Sequence, residues 1–283
     1  MLILLPPSET KRVGGEGVLQ PETLHGHQHE EMRLVRRRVR EALEELSRGD
    51  EETAAKALKL GVKNRSELQH NLRLDESGVM PAIERYTGVL YDALDVASLD
   101  ASAREWLSKH VLVQSALLGL VGAGDPIPAY RLSAGSRLPA LGAPLKRLWA
   151  EAHARLGWNR AGFVLDLRSK DYVALAPLPS GTGLLLHVVQ RGADGEVRAL
   201  NHFNKAAKGD LVRRLARSGA DIDSADDLLA WAADEKLEMT LDAGSGVVTL
   251  VTELGPRLQG RRRSPERGRI LGCLGGGSSD RAR

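Results

Sequence analysis

The chain begins with the apolar run Leu2-Ile3-Leu4-Leu5, which leads directly into Pro6-Pro7-Ser8-Glu9-Thr10-Lys11. Four apolar residues that stop at two prolines predict a short buried strand followed by a polar loop. Open α/β sheets often bind ligands beyond the carboxyl ends of their strands. Ser8, Thr10 and Lys11 bring two hydroxyls and one ammonium group to that position, so the loop is a candidate anion site.

Hydrophobic periodicity predicts that helices and strands are mixed along the rest of the chain. Helical spacing is found over residues 30–48, 51–60, 65–74, 81–94, 145–156, 210–217 and 224–233. Patterns typical of strands cover residues 111–118, 163–167, 172–176, 184–190, 197–203 and 247–253. This mixture predicts a mixed α/β (α+β) fold, in which helices surround one mixed sheet in a single large domain.

The helix predicted over residues 30–48 has two chemically different sides. Its apolar side carries Met32, Val35, Val39, Leu43 and Leu46. The opposite side carries Arg33, Arg36, Arg37 and Arg40. The apolar side is expected to pack on the core and the arginines to face away from it.

The composition, 42% hydrophobic and 27% charged, excludes a wholly disordered chain and argues against a membrane protein. The longest apolar stretch, residues 111–124, contains Gln114 and Ser115 and is too short to span a bilayer. The single cysteine, Cys273, cannot form an intramolecular disulfide, which fits a reducing compartment. We therefore expect a cytoplasmic protein with no membrane partner.

The positive charge of the chain is unevenly distributed. The formal net charge is +3, and the isoelectric point is about 9.1. Residues 257–283 hold eight arginines and two acids, and they are rich in glycine and serine without apolar periodicity. This segment is predicted to be a disordered tail that follows a domain of residues 1–256. The domain itself carries a net charge of −3, so the alkaline isoelectric point alone does not predict DNA binding.

Six short motifs follow one another between residues 2 and 254. They are the strand with the loop at 6–11, Tyr86-Thr87-Gly88 with Tyr91, Pro128-Ala129-Tyr130-Arg131-Leu132 with Gly135, Leu148-Trp149, Leu167-Arg168-Ser169-Lys170-Asp171-Tyr172, and Asn204-Lys205-Ala206-Ala207-Lys208-Gly209. In this order they resemble the YaaA-type peroxide-stress protein family. The chain departs from the family pattern at Glu9, which stands in place of its first lysine, while Lys11 follows Thr10.

The resemblance implies a cytoplasmic protein linked to hydrogen-peroxide resistance and to control of intracellular iron. It also implies DNA binding, with a helix-hairpin-helix element in an unusual mixed α/β fold. The His25–His29 segment and the arginine-rich tail have no counterpart in the family pattern.

The helix-hairpin-helix element maps best to residues 54–74, where Gly61 is predicted to be the C-cap of the first helix. Such hairpins present backbone N–H groups to a DNA phosphate. Lys59, Lys63 and Arg65, together with Asn64, would add charge and hydrogen bonds. The alternative is an ordinary helical turn with solvated charges.

Two longer stretches, residues 131–160 and 198–217, each carry six basic residues and one acid. In the second stretch we expect Lys205, Lys208 and Arg213 to bind phosphate, because Lys208 and Gly209 precede the helix predicted from residue 210. The alternative is a solvated face balanced by the acidic residues between 221 and 242.

A polar pocket is also predicted around the first loop. Its candidate residues are Ser8, Thr10, Lys11, Tyr130, Arg131, Ser169 and Tyr172. The alternative is structural, with hydrogen bonds within turns and a buried ion pair of Arg131. His25, His27 and His29 suggest a metal site but lack the spacing of a structural zinc site, so no metal or cofactor is predicted.

We expect a peroxide stress protein that binds duplex or branched DNA through phosphates, with little sequence preference. Scarce aromatic residues argue against single-strand stacking, and no catalytic pattern is found, which favours a protein that is not an enzyme. Such a protein would limit iron damage either by shielding DNA or by limiting the iron that is available to form radicals. The alternative is an enzyme that acts on a phosphate-bearing small molecule or nucleic acid at the loop of residues 6–11. A protein-binding scaffold is a third reading.

Overall fold

The strand predicted over residues 2–5 lies at the centre of the sheet. The computed structural model describes residues 1–158, 161–191, 197–199 and 203–252. In it, β1 (Leu2–Leu5) pairs in parallel with β3 (Val111–Ser115) on one side and with β6 (Val164–Asp166) on the other. The carboxyl ends of these three strands therefore meet along one line, which we call the strand-end edge.

The remaining strands complete a mixed sheet. They are β4 (Gly119–Gly122), β7 (Gly183–Arg191), β8 (Val197–Ala199), β9 (Glu238–Asp242) and β10 (Val247–Thr252), while β2 (Met80–Pro81) and β5 (Pro126–Ile127) pair apart from the main sheet. Within the described ranges the sheet order is β4-β3-β1-β6-β7-β10-β9, with β8 on β7. The strands from β3 to β10 in this order are parallel, whereas β4, β8 and β9 are antiparallel to their neighbours. The predicted mixed α/β fold is confirmed.

Helices surround this sheet. Their bounds are α1 (Glu30–Arg48), α2 (Glu51–Ala57), α3 (Leu68–Asn71), α4 (Ala82–Arg85), α5 (Val89–Leu94), α6 (Ala101–His110), α7 (Leu145–His153), α8 (Lys170–Val173), α9 (Phe203–Ser218) and α10 (Ala225–Asp234). Short 3₁₀ turns occupy Pro21–Thr23, Val62–Glu67, Val96–Ser98 and Pro139–Leu141. Helix α1 has the predicted bounds, and its apolar residues Met32, Val39 and Leu43 are fully buried. The expectation that all of its arginines face away from the core is wrong for Arg36, which is 1% exposed because its guanidinium donates to interior carbonyls.

The strand predicted over residues 172–176 is wrong. Residues 170–173 form α8, whose first turn is closed by the backbone N–H groups of Tyr172 and Val173 donating to the Ser169 carbonyl at 2.9 Å. Strand β6 already has β1 and β7 as neighbours, so the sheet offers no place for another strand there. The apolar run buries Leu175 and Ala176 from a helical turn instead.

The helix predicted over residues 81–94 is two helices. Gly88 has a φ of +95°, a conformation that favours glycine, and it separates α4 from α5. The break frees the Thr87 N–H from helical pairing, and it donates to the Thr10 carbonyl at 3.2 Å. The interruption therefore brings this motif against the loop that follows β1.

The prediction of Gly61 as a helix C-cap is also wrong. Helix α2 ends three residues earlier than expected, and Lys59 takes the left-handed conformation with a φ of 58°. The Leu60 N–H then donates to the Ala55 carbonyl at 2.8 Å, as in a Schellman ending. Gly61, with a φ of −70°, starts the 3₁₀ turn, so two short helical pieces flank the hairpin.

Two fully buried arginines hold segments together through backbone carbonyls. The guanidinium of Arg85 donates to the carbonyls of Ile127, Arg12, Gly14 and Gly78 at 2.6–3.0 Å. It thereby fastens the segment after Lys11 to α4 and β5. The other, Arg36 in α1, donates to carbonyls of β4 and its neighbours.

The described residues up to Thr252 belong to one compact unit. The predicted boundary at residue 256 and the tail over 257–283 lie outside the described residues. Within the part of the chain that the structure describes, no helix is both long and apolar enough to cross a bilayer.

The contact between α5 and α9 gives a stability prediction. A Cβ on Gly209 would lie 2.1 Å from the Leu90 carbonyl oxygen, so Gly209→Ala forces the two helices apart. We expect a loss of about 1–3 kcal/mol in the free energy of unfolding, measured by urea titration.

The matched control is Gly61→Ala, since a Cβ there meets nothing within 4 Å and the φ is already negative. Its unfolding free energy should change little or rise by about 0.4–1 kcal/mol. Equal stability of the Gly209→Ala variant and the wild type would show that the helices are not in this close contact.

Candidate functional site

The site lies at the strand-end edge, where the loop of residues 6–11 leaves β1. Lys11 forms an isolated antiparallel bridge with Tyr86. The Tyr91 hydroxyl donates to the Pro6 carbonyl at 2.8 Å. The Thr87 hydroxyl donates to the Thr10 hydroxyl at 2.9 Å, and Ser8 lies 3.3 Å from Thr10. The loop is therefore held on one side by the segment from 86 to 91.

A chain of hydroxyls runs beneath this loop. The Ser115 oxygen, at the end of β3, accepts the N–H groups of Leu117 and Leu118 at 3.1 and 3.0 Å. Its own proton is therefore left to donate to Tyr130, 2.8 Å away, and Tyr130 in turn donates to Tyr86 at 2.8 Å. The hydrogen bonds thus run from Ser115 to Tyr130 and from Tyr130 to Tyr86.

All four tyrosines of the chain contribute to the strand-end edge. Burial raises the pKa of Tyr86, Tyr91 and Tyr130 well above 10, and burial raises the pKa of Tyr172 to about 12. The four phenols therefore remain neutral at physiological pH. They act as hydrogen-bonding groups that hold their proton.

Lys11 lies on the tyrosine cluster. Its Nζ is 4.0 Å from the ring centroid of Tyr130 and 5.3 Å from that of Tyr86. The same atom donates to the carbonyls of Ser8 and Glu9 at 3.0 and 3.3 Å. Burial, and after it the charge of Arg131, lowers the pKa of Lys11 to about 7. The amine can therefore gain or lose a proton near neutral pH.

Arg131 joins the first loop to the hairpin. Its buried guanidinium lies 2.8 Å from Glu9 and 3.1 Å from Glu67, the last residue of the 3₁₀ turn after the hairpin. The Asn71 side chain receives the Arg131 N–H at 2.7 Å and donates to its carbonyl at 3.0 Å. The structure thus shows the ion pair that the sequence left as the alternative to a ligand role, and the ion pair lies in the wall of the site.

A second polar group lies at the end of β6. The Asp166 carboxylate accepts hydrogen bonds from Nε and Nη2 of Arg168 at 2.9 and 2.7 Å, and Nη1 of Arg168 donates to the Gln114 side chain at 3.3 Å. Lys208 donates to the Leu167 carbonyl at 2.9 Å. Burial lowers the pKa of Lys208 to about 8. This group links α9 to the strand-end edge through interior hydrogen bonds.

The residues predicted to bind DNA occupy different environments. Lys59, Lys63 and Lys205 are exposed, and Arg65 is half-buried, 3.7 Å from Glu51. Arg213 donates to the carbonyls of Leu94 and Asp95 and to the Ser98 hydroxyl.

The placement expected for Lys208 at a helix N-terminus is wrong. Helix α9 begins at Phe203, so Lys208 and Gly209 lie inside it. Lys208 is only 8% exposed. The glycine stands inside the helix because α5 approaches it too closely for a side chain.

Of the other pocket candidates, Ser169 is exposed at the N-cap of α8, and Tyr172 is half-buried, with the charges of Glu9 and Arg131 acting on it. In the histidine segment, the His25 N–H donates to Asp125 at 2.7 Å. Across the described ranges, no three histidine, cysteine or acidic side chains are grouped as metal ligands.

The sequence of the chain matches a family model and several known proteins. A family model described as peroxide stress protein YaaA matches residues 1–240. The chain belongs to the YaaA family of peroxide stress proteins. It is 40% identical over 252 residues to a UPF0246 protein of Streptomyces coelicolor, covering 86% of this chain and 93% of the relative. It is 38% identical over 235 residues to one of Corynebacterium glutamicum, covering 82% and 91%.

Five of the six motifs that resemble the YaaA family converge in space. The loop of residues 6–11, the segment of residues 86–91, Tyr130-Arg131 and the segment of residues 167–172 surround the strand-end edge, and Lys208 reaches it from α9. Sequence reasoning missed Tyr86, Tyr91, Ser115 and Glu67 as site residues. Tyr86 and Tyr91 had a usable signal, because half of the chain's tyrosines lie in that one motif.

We expect the unfolding free energy to report the titration of Lys11. Its folded pKa of about 7 lies below the ordinary value of 10.5, so the unfolded chain keeps this proton to higher pH. Stability should therefore rise from about pH 7 to about pH 10 in the wild type. The Lys11→Met variant should lack that part of the rise in denaturant titrations.

Lys208 titrates in both proteins, so its contribution cancels when the two pH profiles are subtracted. Parallel profiles for the wild type and Lys11→Met would contradict the environment described for Lys11.

Proposed function

We propose that this YaaA-family protein acts in the peroxide stress response by binding DNA phosphates at a cationic surface beside the strand-end edge. This hairpin surface consists of Lys56, Lys59, Lys63, Arg65 and Arg137. The observation that supports the proposal best is that four of these five cations have no carboxylate within ion-pair distance among the described residues. The fifth, Arg65, has only a long contact with Glu51.

The hairpin surface is assembled from two segments that are fixed to each other. The Arg137 N–H donates to the Ala57 carbonyl, the last residue of α2, at 2.9 Å. The Lys59 ammonium group lies against Gly135 of the same loop. Cations from the hairpin and from residues 133–137 therefore form one exposed patch.

Backbone donors add to this charge. The 3₁₀ turn Val62–Glu67 has no side-chain cap, and its first residue, Val62, is 78% exposed. Uncapped N–H groups flanked by lysines are suited to a phosphate oxygen. The four tyrosines are buried or half-buried, so they offer no platform for stacking unpaired bases. Contacts to the backbone of duplex or branched DNA fit this surface better.

Binding of this kind gives a physical route to protection. Iron cations collect at DNA phosphates, because the backbone is a dense line of negative charge. A protein that occupies those phosphates displaces the cations and limits damage from iron and peroxide. The proposal also places the protein in the cytoplasm, where bacterial DNA is found.

The test removes two exposed charges from the hairpin surface. Lys59→Ala with Lys63→Ala should weaken duplex binding and lower the slope of log K against log salt by about 2, since each phosphate contact contributes about 0.9. Fluorescence anisotropy of the full chain at several salt concentrations measures both quantities.

The control is Lys109→Ala with Arg217→Ala, which removes the same charge from exposed sites at the opposite edge. His110 follows Lys109 and lies 2.8 Å from the Met1 carbonyl, at the start of β1. Arg217 is near the end of α9, and the carbonyl of Ala220, just past that helix, accepts a hydrogen bond from Trp106 of α6. The control should keep the wild-type slope. Equal loss in both pairs would refute a local surface and indicate only general charge.

A second candidate function is an enzyme acting on a phosphate-bearing substrate at the strand-end edge. The observation in its favour is Lys11, a half-buried amine beside the hydroxyls of Ser8, Thr10 and Thr87. An amine with a pKa of about 7 can serve as a general base at neutral pH.

Hydrolysis of phosphate esters should then increase as the pH rises through about 7, because the neutral amine is the active form. Lys11→Met and Thr10→Ala should abolish it, whereas Lys59→Ala with Lys63→Ala should not. A panel of phosphomonoesters and phosphodiesters without turnover above the Lys11→Met background would reject this candidate.

A further inference from the structure

A cleft of about 460 Å³ lies beside the first half of α1, far in sequence from the hairpin surface. Its walls include four arginines, two glutamates and two apolar residues. They are Arg33, Arg36, Arg37 and Arg40, then Glu22 and Glu30, then Pro21 and Leu34. We call it the arginine cleft.

The helix itself brings the four arginines together. Position 33 lies three and four residues before positions 36 and 37, which in turn lie four and three residues before position 40, so the four side chains lie along one side of α1. Because Arg40 is paired with Asp75, the excess of positive charge in the cleft comes from the other three arginines against the two glutamates. Arg33 and Arg37 are exposed and have no ion-pair partner in the described part of the chain.

The other two arginines are fixed in place and keep unused donors. Arg36 is 1% exposed, and it donates through Nε to Leu118 at 2.7 Å and through Nη2 to Leu120 and His25. Its Nη1 has no hydrogen-bond partner. Arg40 pairs with Asp75 through Nη2, while its buried Nε has no partner. Buried N–H groups without partners are rare in folded proteins and call for an explanation.

We propose that the arginine cleft binds the phosphate group of a nucleotide, either free or within a nucleic-acid strand. Guanidinium groups match phosphate oxygens with two parallel hydrogen bonds, which an ammonium group cannot do. The exposed Arg33 and Arg37 supply such donors on the side of α1 that also carries Arg36 and Arg40. This site is separate from the hairpin surface and does not depend on it.

The remaining lining residues favour a nucleotide over a bare anion. Leu34 is 40% exposed, and together with Pro21 it offers an apolar surface to a sugar or base. The carboxylates of Glu22 and Glu30 can accept hydrogen bonds from sugar hydroxyls or base amino groups. The same carboxylates repel inorganic phosphate, which lacks the sugar hydroxyls and base amino groups of a nucleotide.

The experiment compares three probes on the full chain. Adenosine monophosphate and inorganic phosphate are titrated by calorimetry, and a duplex oligonucleotide is titrated by anisotropy. The variant is Arg33→Ala with Arg37→Ala, which removes exposed side chains that support no described contact and so should leave the fold intact. Arg33→Lys with Arg37→Lys keeps the charge but removes the paired donors.

For a free nucleotide, the dissociation constant of adenosine monophosphate should rise at least tenfold in the double-alanine variant and less in the double-lysine variant. Inorganic phosphate should bind more weakly than the nucleotide. If only the duplex binds, and its affinity falls at least tenfold in the double-alanine variant, the phosphate comes from a strand. Either result supports the proposal.

The control pairs separate this proposal from the proposed function. Lys109→Ala with Arg217→Ala should change all constants by less than twofold. Lys59→Ala with Lys63→Ala should leave nucleotide binding unchanged, even if DNA binding at the hairpin surface proves wrong. The proposal is overturned if no probe distinguishes the Arg33/Arg37 double-alanine variant from the Lys109/Arg217 control.

Discussion

The parallel pairing of β1 with β3 and β6, and its abrupt end at Pro6-Pro7, is the constraint on which the site depends. Ile3, Leu4 and Leu5 are completely buried between the two neighbouring strands. The two prolines have no backbone N–H, so the ladder cannot continue beyond Leu5. The chain must turn at the strand-end edge, and the polar residues Ser8 to Lys11 are therefore held where three strands finish. Tyr91 then satisfies the Pro6 carbonyl of this turn, and Ser115, Tyr130 and Tyr86 form a chain of hydroxyls beneath it.

Many of the cations in this protein are structural. The guanidinium groups of Arg36, Arg85, Arg131 and Arg168 are buried and bound to carbonyls or carboxylates, and Lys208 donates to a carbonyl in the interior. Counting basic residues along a stretch therefore overstates its capacity for phosphate. The hairpin surface and the arginine cleft are candidates because each gathers several exposed cations that have no acid at ion-pair distance among the described residues.

Local signals in the sequence predicted much of the fold. Helix α1 was predictable to the residue because its apolar side repeats with helical spacing over 19 residues. Strand β1 was predictable because prolines end it. The strand predicted over residues 172–176 failed because apolar content alone does not tell whether the sheet has a free neighbour, which is a long-range property. The sequence analysis also missed β4 and β9, although each pairs with the strand next to it along the chain, β3 and β10 respectively.

The candidate site was predictable only in part. Ser8, Thr10 and Lys11 follow from their position after a strand, and Tyr130 and Arg131 from the family motif. The ion pairs of Arg131 with Glu9 and Glu67 could not be foreseen, because they join residues up to 122 positions apart. The burial that lowers the pKa of Lys11 depends on the same assembly. The charge of the hairpin can be read from the sequence, whereas the attachment of the hairpin to residues 133–137 cannot.

Hydrogen–deuterium exchange of the full chain, with and without a duplex oligonucleotide, shows whether the hairpin surface beside the strand-end edge makes the phosphate contacts. We expect slower exchange over residues 58–65 and 133–137 in the presence of DNA. Protection confined to residues 257–283, with no change in those two segments, would contradict it.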